Sequence, residues 1–445
     1  MTEPQTSFRC IQCGSLYPLS ALVYECSQCH GLLEVYHPPD TINKRTPEQW
    51  RHLFEQRPAG RPGPDGSGVW RYHEWVLPDL PAEHIVTLGE GATALTHAQR
   101  TSEQLGVRLY IKQCGHTVTG SFKDLGMTVL ISQVRHMREL GHDVPAVACA
   151  STGDTSAALA AYGAAAGIRA LVLLPAGKIS AAQLVQPLAH GARVLAVNTD
   201  FDGCMRHVQK LTREHNVYLA NSKNSLRIEG QKTVAFEIAQ GLATSSGWDV
   251  PDWVAIPGGN LGNVSALVAG FRMLRHAGLT ARLPRILCAQ SERASPLHQS
   301  FLSGFAPLAP MQAGETQASA IRIGNPVSFD KAVRALKEAQ GVVTSVSERE
   351  LTAASRDADS GGLYTCPHTA VALGAVRKEL ERGTIRNGER VVVVATAHGL
   401  KFTEFKQAMV EDRVPDGKTG QRRSPIEVPD DFAAVRRAAL ETAAS

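Results

Sequence analysis

The sequence predicts an α/β protein of doubly wound type, with parallel sheets covered by helices on both faces and more than one domain. Three observations carry this reading. The first is a set of short, nearly continuous apolar runs: Val144–Cys149, Ala170–Leu174, Val194–Val197, Trp253–Ile256, Arg285–Ala289 and Val391–Ala395. Strands buried on both faces lose the apolar–polar alternation of half-exposed strands, and these runs show none of it. The second is that helical segments space the runs, among them Thr152–Gly167, which is apolar throughout. The third is length, since 445 residues exceed what one hydrophobic core normally organises.

Composition narrows the function classes. Hydrophobic residues make up 43% and charged residues 20%, as in a soluble globular protein. No apolar run approaches the roughly 20 residues of a membrane span. The stretch Met1–Arg9 is polar and lacks the apolar centre of a signal peptide, so a cytoplasmic protein is expected. A net charge of +4, with no basic cluster interleaved with aromatics, argues against nucleic acid as a partner. Of the nine cysteines, Cys114, Cys149, Cys204, Cys288 and Cys366 stand singly, as reduced core thiols do.

Taken in order, the chain begins with Cys10-x-x-Cys13, then twelve residues, then Cys26-x-x-Cys29. Two such knuckles can set four thiolates tetrahedrally around one zinc ion. A closed site of that kind has no open position for a substrate, so a structural zinc ribbon is expected over 1–37. Residues 38–69 are rich in Pro, Gly and charge, and Arg57–Pro64 sustains neither a helix nor a central strand. That stretch reads as a linker or arm, and Trp70 opens the main body. At the far end, Phe432–Leu440 is amphipathic and is expected to pack on the body.

Chemistry gathers at four places. Lys123 lies at the centre of Thr119–Thr128 and is followed by a helical apolar pattern of Leu125, Val129, Leu130 and Val134. Alone, a lysine at a helix mouth is a solvated charge. Ser151-Thr152-Gly153-Asp154-Thr155 leaves a strand and opens a helix, so its amides and hydroxyls suit an anion such as a carboxylate. Alone, it is a capped helix start. Pro257–Asn263 also joins strand to helix, and its three glycines let backbone amides approach a phosphate. Thr396 follows a strand and precedes Ala397-His398-Gly399, where a hydroxyl can face a cofactor ring. In doubly wound sheets ligands bind beyond the carboxyl ends of the strands, which is where these segments fall. A lysine able to join an aldehyde, a helix entrance and an anion loop are the requirements of pyridoxal phosphate chemistry.

The segments TGSFKDLGMT, ASTGDTSAALAAYGAAAGI, NSKNSLRIEGQKT, PGGNLGN, CPHTAVAL and TAHGLKFT together resemble the threonine synthases of plants and many bacteria. The similarity runs from about Trp70 to the end of the chain. It implies the fold of the tryptophan synthase β-subunit group, pyridoxal phosphate fold type II: a large cofactor-binding domain of 70–128 and 221–445 and a small α/β domain of 129–220. It also implies conversion of O-phospho-L-homoserine and water to L-threonine and phosphate, in a homodimer. By resemblance, Lys123 is the lysine that bonds the cofactor, and Gly259, Asn260, Leu261, Gly262 and Asn263 hold its phosphate. Asp154 lies near its phenolic oxygen and Thr396 pairs with its ring nitrogen. Ser151, Thr152 and Thr155 meet the substrate, while Asn221, Ser222 and Arg227 receive its phosphate.

Two segments depart from the pattern. Gly89–Leu95 carries Ala92 and Ala94 where Asn and Pro are commoner, and His116-Thr117-Val118 differs ahead of Lys123. They bear on substrate selectivity rather than on the cofactor. A second reading keeps the fold and the cofactor in a β-replacing or eliminating lyase, cysteate-synthase-like, acting on another O-phospho amino acid. A third, a zinc-ribbon protein without activity, is disfavoured by the retained Lys123, Thr396 and glycine loop.

Overall fold

Three sheets organise the computed structural model, which describes residues 6–151, 153–177, 181–414 and 424–440, the side chains of 181–183 excepted. The first holds β1 (Ser7–Cys10), β2 (Leu16–Pro18) and β3 (Leu33–Tyr36), antiparallel in the order β2-β1-β3. The main body then begins with β4 (Leu95–His97) and β5 (Arg108–Lys112). Next come β6 (Val147–Ala150), β7 (Ala170–Pro175), β8 (Arg193–Val197) and β9 (Tyr218–Leu219), a parallel sheet ordered β8-β7-β6-β9. The chain returns through β10 (Trp253–Pro257), β11 (Arg285–Ser291), β12 (Val342–Val346) and β13 (Arg390–Val394). These join β4 and β5 in a six-stranded sheet ordered β12-β11-β10-β13-β5-β4. Only the edge strand β4 runs antiparallel.

The burial explains the strand chemistry. Every residue of β6 and of β10 is buried, because helices cover both faces of each sheet. Parallel neighbours need a crossover, and helices such as Asp154–Ala165 between β6 and β7 supply it. The sequence reading located β6, β7, β8, β10, β11 and β13; it missed the very short β4 and β9 and also β5 and β12. The latter two carry Arg, Lys, Thr and Ser among their apolar residues and sit nearer the sheet edge, where less of each strand must be apolar.

Other expectations need correction. Residues 38–69 are not a free linker. Thr46 and Gln49 form a capping box that starts the helix Pro47–Glu55. That helix buries Trp50 and Phe54 against Trp75, with ring centroids 5.2 and 4.9 Å from it. Prolines downstream stop the helix, but its apolar face belongs to the core. The helix Lys123–Glu139 runs unbroken through the boundary expected after residue 128. At the other end, Phe432–Leu440 is a helix as its period suggests, yet it buries no residue, and Phe432 is 80% exposed. Amphipathic spacing defines an apolar face without saying what covers it.

One departure has a backbone consequence. Ala92 sits at φ 52°, a left-handed conformation that costs a residue with a Cβ about 1 kcal/mol. The turn is held there because Ala92 N–H donates to Glu237 Oε1 at 2.6 Å, and Glu237 is paired with buried Lys112. Ala92→Asn, whose side chain tolerates this region, is expected to stabilise the fold by up to about 1 kcal/mol, read as a raised denaturant midpoint.

Candidate active site

Lys123 is the first residue of the helix Lys123–Glu139, and the turn before it is anchored from both sides. Buried Asp124 accepts from Thr119 N at 2.9 Å and from Thr119 Oγ1 at 2.5 Å. Phe122 N donates to the Thr396 carbonyl at 2.9 Å, and His398 N to the Gly120 carbonyl at 2.9 Å. The lysine turn is thereby stitched to the end of β13, so Lys123 and Thr396 face one cleft.

The same helix touches the helix Leu226–Gln231 almost backbone to backbone. A Cβ on Gly230 would lie 1.6 Å from the Leu125 carbonyl oxygen, and one on Gly126 would lie 2.7 Å from that of Arg227. Only glycine permits this approach, and it places Arg227 opposite Lys123. Arg227 is buried, with Nη1 donating to the Ala220 carbonyl at 3.1 Å and Nε without a partner. An orphaned buried N–H is costly unless a ligand meets it.

The third wall is the loop after β10. Gly258 and Gly259 pass close to Cys288 and Ile321, and Leu261 adopts φ 66° at the entrance of the helix Gly262–His276. A non-glycine residue in this region is strained, a condition that clusters at ligand sites. The turn exposes backbone donors at the positive end of a helix, which suits a phosphate.

The resulting cleft is lined by ten of the expected residues. They are Lys123, Asp154, Ser222, Arg227, Gly259, Asn260, Leu261, Gly262, Asn263 and Thr396. Three others lie off its surface. Ser151 Oγ accepts from Gly153 N at 3.2 Å, Thr155 is buried inside its helix, and both amide atoms of Asn221 bond Ala150, at 3.0 and 2.8 Å. Asn221 ties the chain to the end of β6, a task that uses up the side chain read as a phosphate ligand. Thr152 lies outside the described residues. Asp154 shares its charge with Lys401, whose Nζ is 3.1 Å from Oδ1 and also donates to the Thr119 carbonyl at 2.7 Å.

The sequence reading missed Phe122, Ile228, Gln231, Ile321 and His368, which also line the cleft. His368 Nε2 accepts from Ala320 N at 2.9 Å and fixes the loop bearing Ile321. Cys366, two residues earlier, places its sulfur 3.9 Å from Thr396 Oγ1. CPHTAVAL held the signal for both, but a resemblance of a whole segment does not say which side chain turns inward.

Electrostatics suit a reactive amine. Burial, and then the nearby Arg227 charge, push the Lys123 ammonium down to about 7, against an opposing pull from Asp154. Burial also lowers Arg227, to about 10, which leaves it charged at neutral pH. Capture of an aldehyde needs the neutral amine, whose fraction rises as pH passes the pKa. Cofactor-free protein is therefore expected to take up pyridoxal phosphate at a rate that climbs to half its maximum near pH 7, as the Lys123 pKa sets, and then levels. An ordinary lysine would keep gaining to about pH 10.4. Stopped-flow absorbance over a pH series checks this.

Away from the cleft, the sulfurs of Cys10, Cys13, Cys26 and Cys29 all lie within 4.8 Å of one another. The pairs Cys10–Cys29 and Cys13–Cys26 are each 3.5 Å apart. A tetrahedral ion with metal–sulfur bonds of about 2.3 Å needs sulfurs about 3.8 Å apart, so the donor set and spacing fit.

Comparison with known proteins agrees with this geometry. A family model described as pyridoxal-phosphate dependent enzyme matches residues 86–397. Threonine synthase 2, chloroplastic, of Arabidopsis thaliana is 49% identical over 422 residues, covering 94% of this chain and 81% of that protein. Threonine synthase of Methanocaldococcus jannaschii is 38% identical over 431 residues, 96% of this chain and 98% of that one. Among solved structures, threonine synthase from Escherichia coli superposes with a TM-score of 0.65 at 19% identity, over 98% of this chain and 99% of that chain. The processed form of threonine deaminase isoform 2 from Solanum lycopersicum gives 0.61 at 20% identity, over 76% of this chain and 91% of its own. The two structural likenesses speak for the fold.

Proposed function

The chain belongs to the pyridoxal-phosphate-dependent enzymes and, within them, to the threonine synthases; from that premise we propose how its residues divide the work. The protein is a pyridoxal-phosphate-dependent lyase that makes L-threonine. We read the substrate as O-phospho-L-homoserine, which loses phosphate at one end and gains water at its centre. The observation that carries this is the meeting, in one cleft, of Lys123, a helix-entrance loop and the buried Arg227 with its unpartnered N–H.

Bound pyridoxal phosphate supplies an electron sink that acidifies the C–H bonds beside the substrate's amino group. The protein residues do the rest. The backbone donors of Gly259–Asn263 would hold the cofactor's phosphate, and Thr396 would offer its ring nitrogen a neutral hydroxyl. Lys123, whose burial brings its pKa down to about 7, carries protons between neighbouring carbons. Asp154, its charge offset by Lys401, would lie toward the ring's phenolic oxygen. Arg227 presents a planar fork to the substrate phosphate, with Ser222 beside it. The helix entrance at Asp154 suits the substrate carboxylate. Ser151 and Thr155 serve there only if the turn moves inward. Asn221 supports the phosphate end through its hold on Ala150.

The discriminating experiment is phosphate release with O-phosphohomoserine beside O-phosphoserine. The shorter substrate cannot span from the carboxylate site to Arg227 while its amine stays on the cofactor. Comparable turnover of both would favour the β-replacing alternative.

We further propose zinc at Cys10, Cys13, Cys26 and Cys29, a homodimer, and a small α/β domain near 129–220. Metal analysis is expected to find about one zinc per chain, and Cys10→Ser with Cys13→Ser to lower the thermal midpoint. A zinc-free preparation of unchanged midpoint would contradict the assignment. Light scattering should give twice the mass of one chain.

A further inference from the structure

The cysteine ribbon does not stand apart from the cleft. Its polar contacts with the body concentrate on one segment, residues 219–232, which contains Ser222 and Arg227. Leu219 N donates to Tyr24 Oη at 2.9 Å, and Lys223 pairs with Glu25. Ser225 Oγ and Lys331 Nζ both donate to the Leu33 carbonyl, and Lys331 Nζ lies 3.3 Å from Ser225 Oγ.

The contact of most consequence is made by His37, just past the end of β3. His37 Nε2 is 2.6 Å from Glu229 Oε2. Glu229 is also paired with Lys232, whose Nζ lies 3.0 Å from His37 Nε2. All three side chains are buried or nearly so, with 10, 5 and 3% exposure. His37 Nδ1 has no partner, so the tautomer with its proton on Nε2, donating to Glu229, leaves only a bare acceptor unsatisfied.

Glu229 and Arg227 are two residues apart on one helix, which puts them on opposite faces. Arg227 faces the cleft while Glu229 faces the ribbon. The helix is short, Leu226–Gln231, and cannot hold its position alone. Gly126 and Gly230 let it press against the Lys123 helix on one side. The ribbon supplies the restraint from the far side.

We propose that His37 is a positioning residue for Arg227: through Glu229 it clamps the Arg227 helix, so that recognition of the substrate's phosphate depends on the docked N-terminal ribbon. This rests on the reading of Arg227 as the phosphate ligand. Loss of a residue that merely stabilised the fold would weaken all ligands alike, whereas loss of a clamp on this helix selectively weakens phosphate.

The test compares His37→Leu, His37→Gln and Arg227→Ala in the holoenzyme, using inorganic phosphate as inhibitor and L-threonine as a ligand without phosphate. His37→Leu is expected to raise the inhibition constant of phosphate about tenfold, the loss of one charge-assisted hydrogen bond, with threonine affinity within about twofold. His37→Gln, whose amide can replace Nε2–H, should recover most of the loss. Where His37→Leu fails to accumulate, Ser225→Ala, which leaves the Leu33 carbonyl only its bond from Lys331, should show the same selectivity at about threefold. Equal weakening of both ligands, or of neither, overturns the clamp while Arg227→Ala still loses phosphate. If Arg227→Ala leaves phosphate inhibition unchanged, the phosphate reading falls, and the clamp with it.

Discussion

Lys123→Ala is expected to abolish threonine formation, lowering turnover by at least about 10³-fold, and to remove the covalent hold on the cofactor. The effect is large because one amine has two tasks. It bonds the aldehyde, and once released it is the group nearest the carbons whose protons move. No other described residue can take its place. Lys401 is engaged with Asp154, Thr119 and Gln186, and Lys232 is tied to Glu229. Borohydride reduction followed by peptide mapping checks the assignment. Trapping at another lysine, or persistence of the bound-cofactor absorbance in the variant, would refute it. The alanine also removes a buried amine held near pKa 7, so the variant should fold at least as well as the parent. A loss of activity with unchanged melting is therefore chemical.

Arg227→Ala is expected to lower turnover per substrate bound by about 10²-fold or more, because the guanidinium both holds the phosphate and stabilises its charge as it leaves. Two measurements separate this from general damage. Exchange of the α-proton of amino acids lacking a phosphate should change far less, since their contacts lie at the other end of the cleft. Arg227→Lys should recover little, because an ammonium cannot present two parallel donors. Equal loss of both activities in Arg227→Ala would make the residue structural. Its place on the cleft wall beside Lys123, which the other buried arginines lack, argues for the ligand role.

What sequence alone determined was local chemistry and period. Lys123 at a helix mouth, glycines between a strand and a helix, and paired Cys-x-x-Cys knuckles are recognisable because the chemistry needs those residues within a few positions of one another. The fully buried strands were legible for the same reason, since β6 and β10 are apolar at every position. Direction was not legible. Ser151, Thr155 and Asn221 stand in the right segments, yet their side chains are spent on neighbouring backbone or turned into the fold. Nor was partnership. Trp50 and Phe54 come from a proline-rich stretch and reach the core only because Trp75 is there to meet them. His37 and Glu229 are 192 positions apart, and no local pattern marks either. The tertiary structure alone decided that Gly126 and Gly230 let two helices touch, and that the ribbon closes on the Arg227 helix from behind. Close approach and buried ion pairs join residues far apart in the chain, and the energy of such contacts depends on distances that only the folded packing sets.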